Sequence, residues 1–254
     1  MRKKEIDRLI NEFIVGSPLN RIEEIGIDHI FDPALMGIAH AHDPLFAKLK
    51  EDSVIGAHHL LPTEWLPEAK AVISFFLPFS VEICEPNRHP GLPAQEWLYA
   101  RIEGEVICNA LREHIVEAVT KSGGKALAPV LDSRFALLER RSNWSERHAA
   151  FIAGLGTFSL SKSLITAKGC AGRYGSVIVS LPLEPTSRLY EELDAYCTMC
   201  GECINRCPCG AINTEGKNIA TCAEYIDKQI LPRFAPRYGC GKCQTAVQCE
   251  RAAP

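Results

Sequence analysis

The sequence has no apolar run long enough to cross a bilayer, and its start, Met1 to Asp7 (MRKKEID), leads into an amphipathic pattern rather than a secretory signal core. Both absences point to a cytoplasmic protein with no membrane partner. Nor is positive charge in excess: 28 Lys and Arg against 31 Asp and Glu leave a formal net charge of -3. That balance excludes a global basic field for non-specific nucleic-acid binding, while leaving room for a local patch. What is present is an ordinary globular composition, 46% hydrophobic and 23% charged over 254 residues. One domain of catalytic size plus a small module fits that length.

Cysteine is plentiful, and its spacing organises the chain. The stretch Cys197-Thr-Met-Cys200-Gly-Glu-Cys203-Ile-Asn-Arg-Cys207-Pro208 has the C-x2-C-x2-C-x3-C-P spacing of bacterial ferredoxins. Three closely spaced thiolates wrap one face of a cubane cluster, and the fourth points away to a second cluster. A second set is therefore required, and Cys222, Cys240, Cys243 and Cys249 supply it. Crossed ligation gives Cys197, Cys200, Cys203 and Cys249 on one 4Fe-4S cluster, with Cys207, Cys222, Cys240 and Cys243 on the other. A zinc ribbon leaves the third cysteine and the Cys-Pro step unexplained, and a disulfide framework suits neither this spacing nor a reducing compartment. Of the twelve cysteines, Cys84, Cys108, Cys170 and Cys209 remain as core or bystander thiols.

Upstream, the periodicity of residues 3–15 predicts an amphipathic helix ending near Gly16. Residues 17–68 are rich in turns. The run 69–79 (AKAVISFFLPF) reads as a buried central strand, and a long helix is expected from Gln95 to Lys121, closed by Ser122-Gly123-Gly124. A short strand over 125–131 should follow. Ser145 or Asn143 is placed to cap a helix that runs to Gly154-Leu155-Gly156, with Glu146, Arg147 and His148 in its first turns. Those three side chains either meet a ligand or form a solvated face. Segments 163–166 and 176–181 read as strands, joined by a loop with three glycines and two cations (AKGCAGRYG) that suits close approach to a large polar ligand. Residues 182–188 read as a linker.

The order Gly154-Leu155-Gly156, Leu164-Ile165, Arg173-Tyr174-Gly175-Ser176, Leu183-Glu184-Pro185 and then the cysteine run resembles epoxyqueuosine reductases and, more distantly, corrinoid reductive dehalogenases. The resemblance is good over about residues 125–249 and loose over the first 65. It implies an α/β (α+β) chain with a nitroreductase-like, cobalamin-binding domain over 1–186 and a ferredoxin-type two-cluster module over 187–254. The clusters would pass electrons singly to the cobalt from a reduced ferredoxin or flavodoxin. Gly154 and Gly156, with Gly172, Arg173, Tyr174, Gly175 and Ser176, are the implied contacts to the macrocycle.

The sequence departs from that family in three places. The family's proton-donating aspartate falls near Arg140 by spacing, and Asp132-Ser133 carries the dipeptide about eight residues early without its proline. Asp132, Glu146 and His148 are the candidate acids. The last cluster motif is Cys240-x2-Cys243-x5-Cys249 instead of C-x2-C-x3-C-P, and the carboxy-terminal helical repeats of tRNA-acting members do not follow. With the acidic balance, this predicts a small-molecule substrate and argues against tRNA. The alternative expectation is a non-catalytic electron carrier whose upstream domain is a cofactor-free scaffold.

Overall fold

The apolar run Ala71–Pro78 is buried along its whole length because helices cover both faces of the sheet it centres. A computed structural model describes residues 1–254. Its main strands in chain order are β1 (Leu35–His40), β2 (Ala71–Pro78), β3 (Ala126–Leu127), β4 (Gly156–Phe158), β5 (Leu164–Thr166) and β6 (Gly172–Val179). Strands β1, β2, β6 and β3 form one sheet in that order, antiparallel throughout. Strands β4 and β5 pair in a separate ribbon.

Alternation along β2 and β6 divides the core in two. Ile73, Phe75, Leu77, Val177 and Val179 join a cluster of 29 buried residues with α1 (Lys3–Gly16) and the long helix α2 (Gln95–Lys121). Val72 and Ile178 point the other way, into a cluster of 18 that holds Trp65, Trp144 and α3 (Glu146–Ile152). The chain is thus of mixed α and β class. No helix is long and apolar enough to cross a membrane.

The structure departs from the sequence expectations in several local features. Strand β1 lies inside the turn-rich stretch, held because Leu35–His40 pairs residue for residue with β2. The loop expected over 167–175 is shorter: Gly172 to Gly175 already pair with Pro78 to Phe75 as the start of β6. Neither expected cap forms on α3. The Asn143 side chain instead bonds to the Ala136 N–H and the Arg134 carbonyl, and the Ser145 hydroxyl bonds to His148 Nδ1 at 2.7 Å.

The cysteine-rich residues surround a small core of Leu160, Cys203, Ile212 and Val247. Polar ties join this region to the upstream residues. Arg88 forms an ion pair with Glu250 at 2.8 Å, Arg237 forks onto Glu103 at 2.7 and 2.8 Å, and the buried Lys242 donates to the carbonyls of Asn87 and His89. These contacts fix the Cys240–Cys249 segment against α2 and the helix before it.

Candidate functional site

A cavity of about 660 Å3 opens between the upstream residues and the cysteine-rich segment, within the usual range of ligand sites. Its upstream wall carries Arg101, Glu105, Arg112, Trp144, Glu146, Arg147, Gly172, Arg173 and Tyr174, and its other wall carries Cys207, Cys209, Cys222, Cys240 and Cys243. A second, small cavity is lined by Cys197, Cys200, Cys203 and Cys249. The two cavities therefore divide the eight cysteines of the ferredoxin-type pattern four and four, with Cys209 as a fifth thiol on the larger one. No three His, Cys, Asp or Glu side chains converge to hold a single ion, but a four-iron cubane spreads its thiolates around a cage. The donor set in each cavity fits such a cluster. The larger cavity, with apolar Val130, Phe135 and Leu164 beside its arginines, also suits a bulky cofactor of mixed polarity such as cobalamin.

The upstream wall is built on a chain of charges. Arg173 from β6 pairs with Glu105 at 2.8 Å, Glu105 with Arg112 at 2.9 Å, and Arg112 with Glu146 at 3.2 Å. Glu105 and Arg112 lie seven residues apart on α2, so they share one face of it. Ser176 closes the chain: its hydroxyl donates to Glu146 and accepts from Trp144 Nε1 at 2.9 Å. Burial pushes the Glu105 carboxyl up, but Arg173 and Arg112 outweigh it and hold Glu105 below its ordinary value. For Glu146 the balance is reversed. Burial exceeds the pull of Arg112 and Ser176, and the carboxyl stays above the usual range. A buried carboxyl held toward its protonated form on a cavity wall is suited to donating a proton.

The other expected site residues fall in different places. Asp132 is off the cavity, and its hydrogen bonds and ion pair with Arg134 at 2.8 Å pull it down to about 2, so it is a fixed carboxylate with no proton to give at neutral pH. His148 is turned away toward Phe158 and Ser145, and burial pushes it down to about 4. Gly154 and Gly156 do not line the cavity. Gly154, at φ +80°, packs on Thr186 and Ser187, and Gly156 lies against the Ile165 backbone in the β4–β5 ribbon, so both serve chain packing. Gly172, Arg173 and Tyr174 do reach the cavity, whereas Gly175 backs onto the Phe75 ring and Ser176 acts through Glu146. Arg140 sits at the tip of the Leu137–Ser142 hairpin, paired with Asp227 at 3.1 Å. Sequence reasoning missed Glu105 and Arg112; two charges recurring on the apolar side of a long helix are the signal that marks them.

One buried and one half-buried imidazole make stability depend on pH. His59 is fully buried with both ring nitrogens unpartnered, and burial pushes it down to about 4, as it does His148. Each folded-state value lies below the ordinary 6.5, so the unfolded chain binds more protons. Stability is complete above about pH 6.5 and falls toward pH 4, by up to ~1.4 kcal/mol per pH unit for each imidazole. Denaturant midpoints measured from pH 7 to 4.5 should show this slope, and His59→Leu should remove about half of it.

No protein-family model matches the chain. It is 27% identical over 248 residues to the epoxyqueuosine reductase of Staphylococcus aureus, covering 87% of this chain and 60% of that protein. It is 26% identical over 201 residues to the epoxyqueuosine reductase of Bacillus subtilis, covering 72% and 48%. The chain thus spans between about half and three fifths of the length of these curated relatives. Among solved structures, the Bacillus subtilis enzyme with its catalytic aspartate loop swung out of the active site superposes with a TM-score of 0.53 at 19% identity, over 96% of this chain and 66% of that one. An epoxyqueuosine reductase with an epoxyqueuosine-modified tRNA stem loop gives 0.53 at 20%, with the same coverage. A catabolic reductive dehalogenase gives 0.52 at 17%, over 89% and 34%.

These relatives overturn the expectation of a small-molecule substrate and the argument against tRNA, since one of them is seen with a modified tRNA stem loop. The net charge misled because it averages the whole chain, while Arg101, Arg147, Arg173 and Lys217 gather at one cavity. In sequence the chain resembles the epoxyqueuosine reductases, and it shares its fold with them and with a corrinoid reductive dehalogenase.

Proposed function

We propose that the chain is an epoxyqueuosine reductase-like oxidoreductase acting on a modified nucleoside carried by tRNA. Residues 1–186 are the nitroreductase-like, cobalamin-binding part and residues 187–254 the ferredoxin-type part. Cys197, Cys200, Cys203 and Cys249 hold one 4Fe-4S cluster, and Cys207, Cys222, Cys240 and Cys243 hold the other. The observation that carries the reading is the larger cavity, where four of these thiols face Glu146 and Arg173 across one space. When bound, clusters and corrinoid supply low-potential single electrons, which side chains cannot.

The protein's own residues do the rest. Arg112 and Ser176 hold Glu146 at the wall, and burial there keeps its carboxyl toward the protonated form. Arg101, Arg147 and Arg173 present cations to a polar or anionic ligand. Removing an epoxide oxygen as water takes two electrons and two protons, and Glu146 is placed to give one of those protons. A cofactor-free scaffold is not favoured, since it would have no use for a charged cavity of this size beside the thiols.

The test is anaerobic reconstitution with iron, sulfide and cobalamin, followed by dithionite and an epoxyqueuosine-bearing tRNA stem loop. A retained corrinoid spectrum and deoxygenation of the nucleoside are expected. Failure to retain any corrinoid overturns the reading.

A further inference from the structure

The two thiol-lined cavities differ in the charges around them. At the larger one, the Lys217 ammonium group lies 4.0 Å from Cys243 Sγ. Lys217 comes from the short ladder that pairs it with Ile212, so its position is set by backbone pairing and not by a flexible loop. Across the cavity Trp97, 2% exposed, has a buried indole N–H with no acceptor. Its ring lies so close to Gly241, at φ +66° in the Cys240–Cys243 turn, that any side chain there would strike it. A buried donor left unpaired is costly, so an unpartnered N–H on a residue that lines a cavity of thiols calls for an acceptor in that cavity. Lys242, in the same turn, is anchored away from the thiols, its ammonium donating to the Asn87 and His89 carbonyls.

The smaller cavity has no cation on its wall. Two carboxylates adjoin its cysteines in sequence: Glu202, before Cys203, accepts from the Gln248 N–H at 2.6 Å, and Glu250, after Cys249, is paired with Arg88. The polar side chains on its wall, Ser159, Ser161, Thr198 and Gln248, are all uncharged, and the Cys170 thiol lies 3.7 Å from Cys249 Sγ behind it.

We propose that Lys217 and the Trp97 indole N–H are donors to the sulfurs of the cluster at the larger cavity, and that they set its potential above that of the cluster at the smaller one. The inference rests on the two-cluster reading above. Reduction adds one negative charge to a cluster, and a fixed cation or N–H stabilises that charge where it forms. An electron accepted from a one-electron donor by a cluster at the smaller cavity would then pass downhill to one at the larger cavity, the first reoxidised as the second is reduced. Lys217 and Trp97 thus give the relay its direction.

The experiment is a stepwise dithionite titration of the anaerobically reconstituted full chain, followed by electron paramagnetic resonance, with iron counted first. Wild type should show two reduction steps. Lys217→Gln should lower the upper step by about tenfold in the one-electron equilibrium, ~59 mV, leaving the lower step unmoved, and Lys217→Arg should restore it. Trp97→Phe keeps the ring packing and should lower the same step by less. Fewer than about eight irons per chain in wild type overturns the cluster reading and this inference with it. Full iron with unshifted steps, or with both steps shifted equally, overturns this inference alone.

Discussion

Cys200→Ala protein, reconstituted without oxygen, is expected to hold about half the iron of wild type, while Cys209→Ala protein holds all of it. Cys200 lines the smaller cavity with Cys197, Cys203 and Cys249, and no fifth cysteine lines that cavity. Cys170, in contact with Cys249, is fully buried behind Thr166 and Gly169 in the turn before β6. Loss of Cys200 therefore leaves three thiolates. The larger cavity is the harder case, because Cys207 and Cys209 stand 3.7 Å apart across Pro208 and both line it. Cys207 additionally accepts the Ala211 N–H at 3.2 Å, the kind of backbone donor that supports a metal-bound thiolate. This favours Cys207 as the ligand and leaves Cys209 spare. Equal iron loss in the Cys200 and Cys209 variants would falsify the assignment. Because cluster binding is coupled to folding of the segment that supplies the ligands, Cys200→Ala should also increase proteolysis of residues 190–210 before other regions.

What the sequence makes legible here depends on how far apart the interacting residues are. The cysteine run, the fully buried strand β2 and helix α2 each carry their signal within one short window: a ligand spacing, an apolar run, a period of 3.6 closed by glycines. The separation of Cys207 from Cys197, Cys200 and Cys203 onto another cavity likewise agrees with the local rule that the cysteine before the proline points away. The charge chain from Arg173 to Glu146 has no such window, since its members come from α2, α3 and β6, and Arg112 reaches Glu146 across 34 residues and the Tyr174 carbonyl across 62. Glycine was the least reliable signal. Gly154, Gly156 and Gly175 looked like room for a ligand, but each makes room for the protein's own backbone or for Phe75. Asp132 misled for a similar reason: its dipeptide matches a catalytic pattern, yet Arg134 two residues later occupies both carboxylate oxygens.

The second large effect is expected from Glu146→Gln, which should slow the reductive step by about 10²–10⁴-fold with iron content unchanged. Glutamine keeps the shape and can still accept from the Ser176 hydroxyl, but it has no acidic proton. Arg112 remains paired with Glu105 at 2.9 Å and hydrogen-bonded to Asn109, so its buried charge is not stranded and the fold should survive. The pH profile separates a chemical role from a structural one. Because the Glu146 carboxyl is held above its usual range, its acid form persists to higher pH than that of a free glutamate, and the wild-type rate should be flat below the raised value and fall above it. The Gln variant should be slow at every pH and lack that descending limb. His148→Gln is the control: its ring is tied to Ser145 and lies off the cavity, so it should leave the limb in place. A Glu146→Gln enzyme that kept both its rate and the limb would return the proton-donor role to a group outside the Arg173–Glu146 chain.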